Sequence, residues 1–407
     1  MNPLPQQGPT GRPKTATRVL GIYRSQKRRA FSKMRLGYER TKQVFLLPGC
    51  YRKVRAYKEC RKSGPALALD LLTWFFSYRT FPSHYAVCRL WEVDRKDWGY
   101  YFGSNYQPHQ QARLRKTVQP FEYRVLFNDK RLCVLLCQAL GFRTPVTHGL
   151  LDPAGDFRAR LAEWMAASSA RKLIIKPLAA FGGRGIVLAE PAEKGIMVRD
   201  GRTTTSLADF VLEGRALVQD VLVQDPRMSA FSPSSVNTLR IVTMMTPQND
   251  VLLVNGSFRS GVGGSLVDNW SAGGVSVGID CRNGVLKKFA YDRNSRRHAV
   301  HPSSGIVFEG SPVPEWGRVV ETAKNIQRAF SFFRLIGLDI ALDEDGRPVV
   351  IEINHGPDLA GLEQKAGPLL KDEAVLRAFG EYDLLVNRHQ RRLYKAARSN
   401  DQANRSF

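Results

Sequence analysis

The residues best placed to do chemistry lie in Leu338–Gly356, which reads LDIALDEDGRPVVIEINHG. Two apolar runs, Leu338–Leu342 and Pro348–Ile353, flank Asp345-Gly346, a strong short-range signal for a tight hairpin turn. A hairpin centred on that pair sets Asp339 opposite Glu352, and Asn354 follows on the same face because side chains alternate along a strand. Facing carboxylates repel one another. A proton on one of them, or a cation between them, relieves the repulsion. Glu352 and Asn354 sit within a run of Val and Ile, so an all-oxygen cation site is the better reading. Hard oxygen ligands with few protein contributors suit Mg²⁺, with Mn²⁺ as a substitute, shared with the phosphates of a nucleotide. An acidic hairpin facing water is the competing reading.

Several further segments carry residues suited to phosphate. A predicted strand, Lys172–Ile175, ends at Lys176-Pro177 and is followed by Phe181-Gly-Gly-Arg-Gly185 and a second strand, Ile186–Leu188. Strand, glycine loop, strand is a hairpin arrangement and differs from the strand-to-helix turn of a P-loop or dinucleotide fold. Glycines at 182, 183 and 185 let backbone N–H groups converge on an anion, and Lys176 adds a positive charge. Asn237 and Arg240 fall among apolar residues of a strand over Val236–Met244. A buried arginine is costly unless paired, so Arg240 meets either an acid or a phosphate. The polar, glycine-rich stretch from Arg259 to Gly274 suits a lid or a substrate contact, with a plain surface loop as the alternative.

The elements that must hold these residues are legible in outline. Asn128-Asp129 can cap a helix over Lys130–Leu140, which ends at Gly141. Cys133 and Cys137, one turn apart there, read as a buried face. Further helices are predicted at Pro65–Tyr78, Gln110–Thr117, Phe157–Ser168, Pro314–Phe333, Asp372–Phe379 and Tyr382–Ala397, and a polar loop after Pro357. Strands are predicted at Val251–Phe258, Val275–Asp280 and Val285–Lys288, and Leu217–Leu222 reads as a buried strand or hinge. Residues 65–120 are rich in aromatics and suggest either one side of a pocket or a cap.

Composition adds a partner question. The 407 residues, 43% hydrophobic, suffice for two or more structural units, and the formal charge is +24. Residues 1–62 alone hold 17 Lys or Arg against Glu39 and Glu59, interleaved with Tyr and Phe. Such a segment suits a nucleic acid or an anionic membrane surface, with a solvated helical face as the alternative. Six scattered cysteines without a CxxC fit a reducing compartment. No signal peptide is visible, and Ala66–Phe76 is too short to span a bilayer. The expectation is a soluble, cytoplasmic protein, with a peripheral place on the inner membrane face as a variant of it.

Taken in order, seven segments resemble the ATP-grasp superfamily, and within it the sugar-transfer-associated subgroup of bacterial surface-polysaccharide functions. They are NDK at 128–130 with GFRTP at 141–145, IIKP at 174–177, FGGRG at 181–185, VQDVL at 218–222, SVNTLRIVT at 235–243, VDNWSAGG at 267–274, and GLDIA with IEIN between 337 and 354. The resemblance implies an α+β fold in which two lobes clamp a nucleotide, here with a basic, largely helical N-terminal extension. The boundaries it suggests are a disordered leader over 1–17, a basic and aromatic region over 18–120, lobes over 121–216 and 217–365, and basic helices over 366–407.

The same resemblance assigns roles. Lys130 and Lys176 would hold ATP phosphates under the cover formed by Gly182, Gly183, Arg184 and Gly185. Gln219, Asp220 and Val221 would read adenine, and Asp225 or Gln224 the ribose. Arg240, with Lys176, would act catalytically at the γ-phosphate. Asp339, Glu352 and Asn354 would bind Mg²⁺, while Asp268 and Asn269 would line the acceptor side. His355 would be a base, a substrate contact or a structural residue. The implied reaction activates a carboxylate as an acyl phosphate and joins it to an amine. A kinase on the same fold, and a basic adaptor with a regulatory nucleotide site, are the alternatives.

Overall fold

The computed structural model describes residues 37–38, 40–104, 108–168, 171–178, 182–193, 195–201, 203–268 and 273–405. The expected leader over 1–17, most of the basic run after Arg18, and Asn269 lie outside the described residues. Two antiparallel sheets organise the rest. The first contains β1 (Thr147–Leu151), β2 (Leu173–Pro177), β3 (Val187–Ala192), β4 (Gly195–Arg199), β5 (Thr204–Ser206) and β6 (Ala216–Asp220), in the order β1-β6-β2-β3-β4-β5. The second contains β7 (Thr238–Met245), β8 (Val251–Ser260), β9 (Val275–Asp280), β10 (Val285–Tyr291), β11 (Arg297–His298), β12 (Leu335–Leu342) and β13 (Pro348–Asn354), in the order β11-β10-β9-β8-β7-β12-β13. The α+β expectation holds.

Strand alternation decides which face of each sheet is buried. In the first sheet Leu173, Ile175, Val187, Ala216 and Val218 pack on Leu161 and Met165 of the Phe157–Ala167 helix. Their neighbours Ile174, Lys176, Leu217 and Gln219 therefore turn to the opposite face. In the second sheet Leu239, Ile241, Ile336, Leu338 and Ile340 pack against Val319, Ala323 and Ile326 of the Trp316–Ala329 helix. Each such fully buried aliphatic side chain contributes roughly 2 kcal/mol. The opposite face of that sheet divides in two. At one end Leu335, Val242 and Val254 join Leu359, Leu376 and Phe379 in a second apolar cluster. At the other end stand Asp339, Arg240 and Ser257, which are register partners in sequence across β12, β7 and β8.

The N-terminal region has its own core, in which Trp74, Tyr85 and Trp98 are fully buried. Asp70 lies inside it, paired with Lys62 and Arg95 and accepting a 2.8 Å hydrogen bond from the Tyr85 hydroxyl. This region docks on the Leu359–Ala366 helix through Glu363, which accepts from the Phe102 and Gly103 amides at 2.7 and 3.1 Å and lies 3.3 Å from His84. That helix stands where a polar loop is expected. Asp358 caps it by accepting from the Gly361 amide, and Leu359 and Leu362 bury its inner face. Gly278 of β9 allows the close approach, because a Cβ there would lie 2.4 Å from the Lys365 carbonyl oxygen. The last helix also begins later than expected, at Arg388. Leu384 and Leu385, expected within it, are buried in the non-helical link before it.

Candidate active site in the cleft between the sheets

The hairpin of β12 and β13 pairs Asp339 with Glu352 and Gly337 with Asn354, as expected, but by a different route. Nearer the turn the register is Leu342 with Pro348 and Ile340 with Val350, one residue off a hairpin centred on Asp345-Gly346. The turn closes instead through Asp343, whose amide donates to the Arg347 carbonyl and whose carboxylate accepts from the Asp345 and Arg347 amides. An irregularity between Asp339 and Ile340 leaves Ile351 as the extra residue of β13 and restores the pairing. Such a bulge re-aims side chains. Here Ile351 and Glu352, though adjacent, both line the cleft.

Three cavities run along that cleft. A slot of about 110 Å³ is walled by Ile174, Ile186, Val221, Leu222, Val236 and Ile351. It shares Lys176, Ile186 and Ile351 with a narrower space of about 80 Å³ that also meets Lys130, Gly182, Gly183, Gln219 and Glu352. Gly182 and Glu352 lead on to a chamber of about 380 Å³ containing Arg240, Arg259, Asp339, Asn354, Asp358 and Lys365. The order is apolar slot, cationic neck, mixed-charge chamber.

The cationic neck comes from the first sheet and the helix beside it. Lys130 opens the Lys130–Ala139 helix, whose cap is Asp129, accepting from the Arg131 and Leu132 amides. Cys133 and Cys137 are its buried face, as expected. Lys176 donates at 2.7 Å to Gln219, which in turn donates at 2.9 Å to Thr147. Gln219 thus fixes the lysine without neutralising it. Burial lowers the Lys176 ammonium to about 8, with Glu352 acting in the opposite sense. Gly182, Gly183 and Gly185 take φ of +72°, +75° and +68°, a conformation that favours glycine. Arg184 between them is exposed.

The mixed-charge chamber comes from the second sheet. Asp339 receives Arg240 on both oxygens, the Nη2 contact being 2.8 Å, and Arg259 at 3.0 Å. Burial opposes its ionisation, but the two guanidinium groups hold the carboxyl below its ordinary range. Arg240 is raised because Asp339 outweighs the effect of its own burial. Glu352 moves the other way: burial and Asp339 raise it, with Arg240, Lys130 and Arg259 partly offsetting them. Asp268 is raised by burial, accepts from the Thr238 hydroxyl and lies 3.8 Å from Arg259. Burial lowers Lys365 to about 8.

The donor set for a cation is Asp339, Glu352 and the Asn354 amide oxygen. Asn354 approaches Asp339 at 3.4 Å, and no hydrogen bond to the Glu352 carboxylate is made by the described residues. An all-oxygen set whose raised Glu352 carboxylate accepts no hydrogen bond from the described residues fits a hard divalent ion, whose charge would offset the Asp339–Glu352 repulsion.

Other expected site residues stand elsewhere or are otherwise engaged. Asp220 borders the apolar slot, but its carboxylate accepts from Ser168 at 2.6 Å and contacts His148 at 2.7 Å. The Val221 amide donates to the Lys172 carbonyl. Asp225 is buried, caps Pro226–Ser229 and pairs with Arg227 at 2.7 Å, and it borders none of the three cavities. His355 faces Arg124 at 3.0 Å, and burial followed by Arg124 lowers it to about 4, which leaves it a weak base. Arg259 is an unforeseen member of the chamber. The argument that picks out Arg240, an arginine inside an apolar strand, would have found it. Asp358, Gln364 and Lys365 were hidden with the helix that carries them.

An apolar slot leading through lysines and a glycine loop to carboxylates is the layout of a nucleotide-binding phosphotransfer or ligase cleft. The chain belongs to the sugar-transfer associated ATP-grasp family, whose model matches residues 109–376. No curated protein matches it. Among solved structures it is similar to D-alanine–D-alanine ligase from Helicobacter pylori, at 13% identity over 64% of this chain and 60% of that one, TM-score 0.36. An L-amino acid ligase from Bacillus licheniformis gives 15% identity, 60% and 48% coverage and TM-score 0.33. The D-Ala:D-Ser ligase VanG from Enterococcus faecalis gives 12% identity, 62% and 61% coverage and TM-score 0.38. The chain thus spans between about half and under two thirds of the length of these proteins. Among the described residues no helix is long and apolar enough to cross a membrane.

Proposed function

We propose that the protein is an ATP- and Mg²⁺-dependent ligase that activates a substrate carboxylate as an acyl phosphate and transfers the acyl group to an amine. The observation that carries this reading is the continuity of the cleft: Gly182 and Glu352 border both the lysine neck and the chamber holding Arg240 and Arg259. Adenine suits the slot between Ile174 and Ile351. Lys130, Lys176 and the amides of the glycine loop would hold the phosphates. Asp339, Glu352 and Asn354 would hold Mg²⁺, whose charge offsets that of the phosphoryl oxygens. Arg240 and Arg259 would meet the negative charge that gathers as the carboxylate oxygen attacks the γ-phosphorus and ADP leaves. Cations already held in place by Asp339 favour that charge with little reorganisation.

In the second half-reaction the neutral amine attacks the acyl carbon, inorganic phosphate leaves with the electron pair of the broken C–O bond, and the amine's proton passes to that phosphate or to water. The Asp358 carboxylate, exposed at the chamber wall, is placed to bind the ammonium form. The sugar-transfer association of the family supports a surface-polysaccharide role for the pair of substrates, and the reaction is proposed to run in the cytoplasm.

The test is an ADP-release screen of the full chain over amino acids, uronic acids and nucleotide sugars. Inorganic phosphate appearing only when carboxylate and amine are both present supports the ligase. A stable phosphorylated product with no amine requirement would replace it with the kinase. No substrate-dependent ADP release, together with nucleotide binding, would leave the adaptor.

A further inference from the structure

On the opposite side of the N-terminal region from its core, the Gly64–Ser77 helix carries a second apolar face. Leu67, Leu71, Trp74 and Phe75 are buried, whereas Leu69, Leu72 and Phe76 are 54%, 45% and 58% exposed. With exposed Pro65 they follow the i, i+4, i+7, i+11 spacing of a single helical stripe. Asp70 is the only acid of this helix, and it is buried in ion pairs on the inner face. Tyr38, Phe45 and Leu46 are also exposed, at 62%, 78% and 55%, on the segment that Arg40 joins to the Phe75 carbonyl at 3.0 Å. Large apolar residues exposed together on a soluble surface mark a contact.

What borders the stripe identifies the contact. Phe76 lines a groove of about 570 Å³ with Ser77 and Val386, and its remaining walls include Arg79, Arg388, Arg391, Arg392 and Lys395. The last four project from one side of the Arg388–Arg405 helix, which has a single acid, Asp401. An RNA or DNA backbone would use the arginines but leave Leu69 and Leu72 in water. A second copy of the chain would bring the same cations against each other. A bilayer rich in anionic lipid satisfies both halves, since apolar side chains enter the acyl boundary while Arg and Lys meet the headgroups.

We infer that the Pro65–Phe76 stripe and the Arg79–Lys395 groove form a docking surface for an anionic lipid bilayer, on which the protein rests without spanning it. The surface is independent of the cleft residues, so it stands or falls apart from the ligase reading. Each basic residue near such a surface strengthens binding about fivefold, and the apolar insertion adds a component that salt does not screen.

Co-sedimentation of the full chain with phosphatidylcholine vesicles, with and without phosphatidylglycerol, tests this. Binding is expected only to the phosphatidylglycerol vesicles, with part of it surviving high salt. The pair Leu72→Glu and Phe76→Glu should remove the salt-resistant part, and the pair Arg388→Glu and Arg392→Glu should weaken binding by more than about tenfold. Unchanged near-ultraviolet circular dichroism and urea-unfolding midpoints in both variants establish that they fold. No binding by the parent chain, or equal binding by parent and both variants, overturns the proposal. So does a parent dimer that Phe76→Glu dissociates, which would make the stripe a self-interface. RNA binding that is lost with the arginines, with no vesicle binding, would assign the groove to nucleic acid.

Discussion

The two walls of the cleft share an antiparallel architecture and hold charge in opposite ways. On the first wall Lys176 is kept in place by the neutral Gln219, beside a glycine loop. On the second wall Asp339, Arg240 and Arg259 form a buried network with Glu352 pressed against it. The first wall can lose its cation and keep its packing. The second cannot lose its central acid without stranding Arg240 and weakening the hold on Arg259, which keeps only Asp268 among the described residues. One wall therefore offers a cation that no acid among the described residues neutralises, and the other carries a charge network of its own, which in the proposed function a ligand and a metal would complete.

That contrast predicts a graded series. Asp339→Ala should have the largest effect, removing roughly 3–5 kcal/mol of stability by leaving Arg240 without its ion-pair partner and Arg259 with Asp268 alone, and abolishing ATP turnover. Urea unfolding followed by fluorescence measures the first part. Glu352→Gln should lower turnover about a hundredfold while leaving stability unchanged or slightly higher, because it removes the repulsion from Asp339. A loss of stability as large as that of Asp339→Ala would erase the distinction between network and metal ligand.

Lys176→Met comes next, weakening ATP binding about tenfold or somewhat more with little loss of stability. Its sign with pH is definite. Burial brings the ammonium to about 8 in the free protein, so the charged form that binds phosphate predominates well below that pH, is half present at it and is lost above it. The Lys176 contribution to parent affinity, measured by calorimetry, should be constant below about pH 7 and fall as pH rises through about 8, and the variant should show a shallower fall. The smallest effect belongs to Asp225→Ala, costing about 1 kcal/mol through the lost helix cap and leaving KM for ATP unchanged. A large rise in KM would return Asp225 to the ribose contact that the sequence suggests.

How much was legible follows from the range of each signal. Period-2 alternation and a turn residue are local, so the Asp339–Glu352 pairing could be read from the sequence. Even so, the pairing depends on a bulge at Ile351 that no local signal announced, since the turn itself is one residue out of place. Lys176, the positive-φ glycines and the Asp129 cap were readable for the same local reason. The Leu359–Ala366 helix was not, because Gly361 and the preceding Pro357 resemble loop sequence and the helix is held by docking. Its partners, His84, Phe102 and Gly103, lie about 260 to 280 residues before Glu363 in the chain. With it went Lys365 and Asp358. Asp225 and His355 were assigned by position within motifs, and their burial against Arg227 and Arg124 is a tertiary fact that spacing does not encode.

The central claim is that both walls close on one nucleotide–Mg²⁺ complex through Glu352. Calorimetric titration of a nonhydrolysable ATP analogue into the parent chain and into Glu352→Gln, with and without Mg²⁺, tests it most directly. Magnesium should tighten binding to the parent about tenfold or more and have little effect on the variant. An equal magnesium dependence in the two proteins would contradict the account.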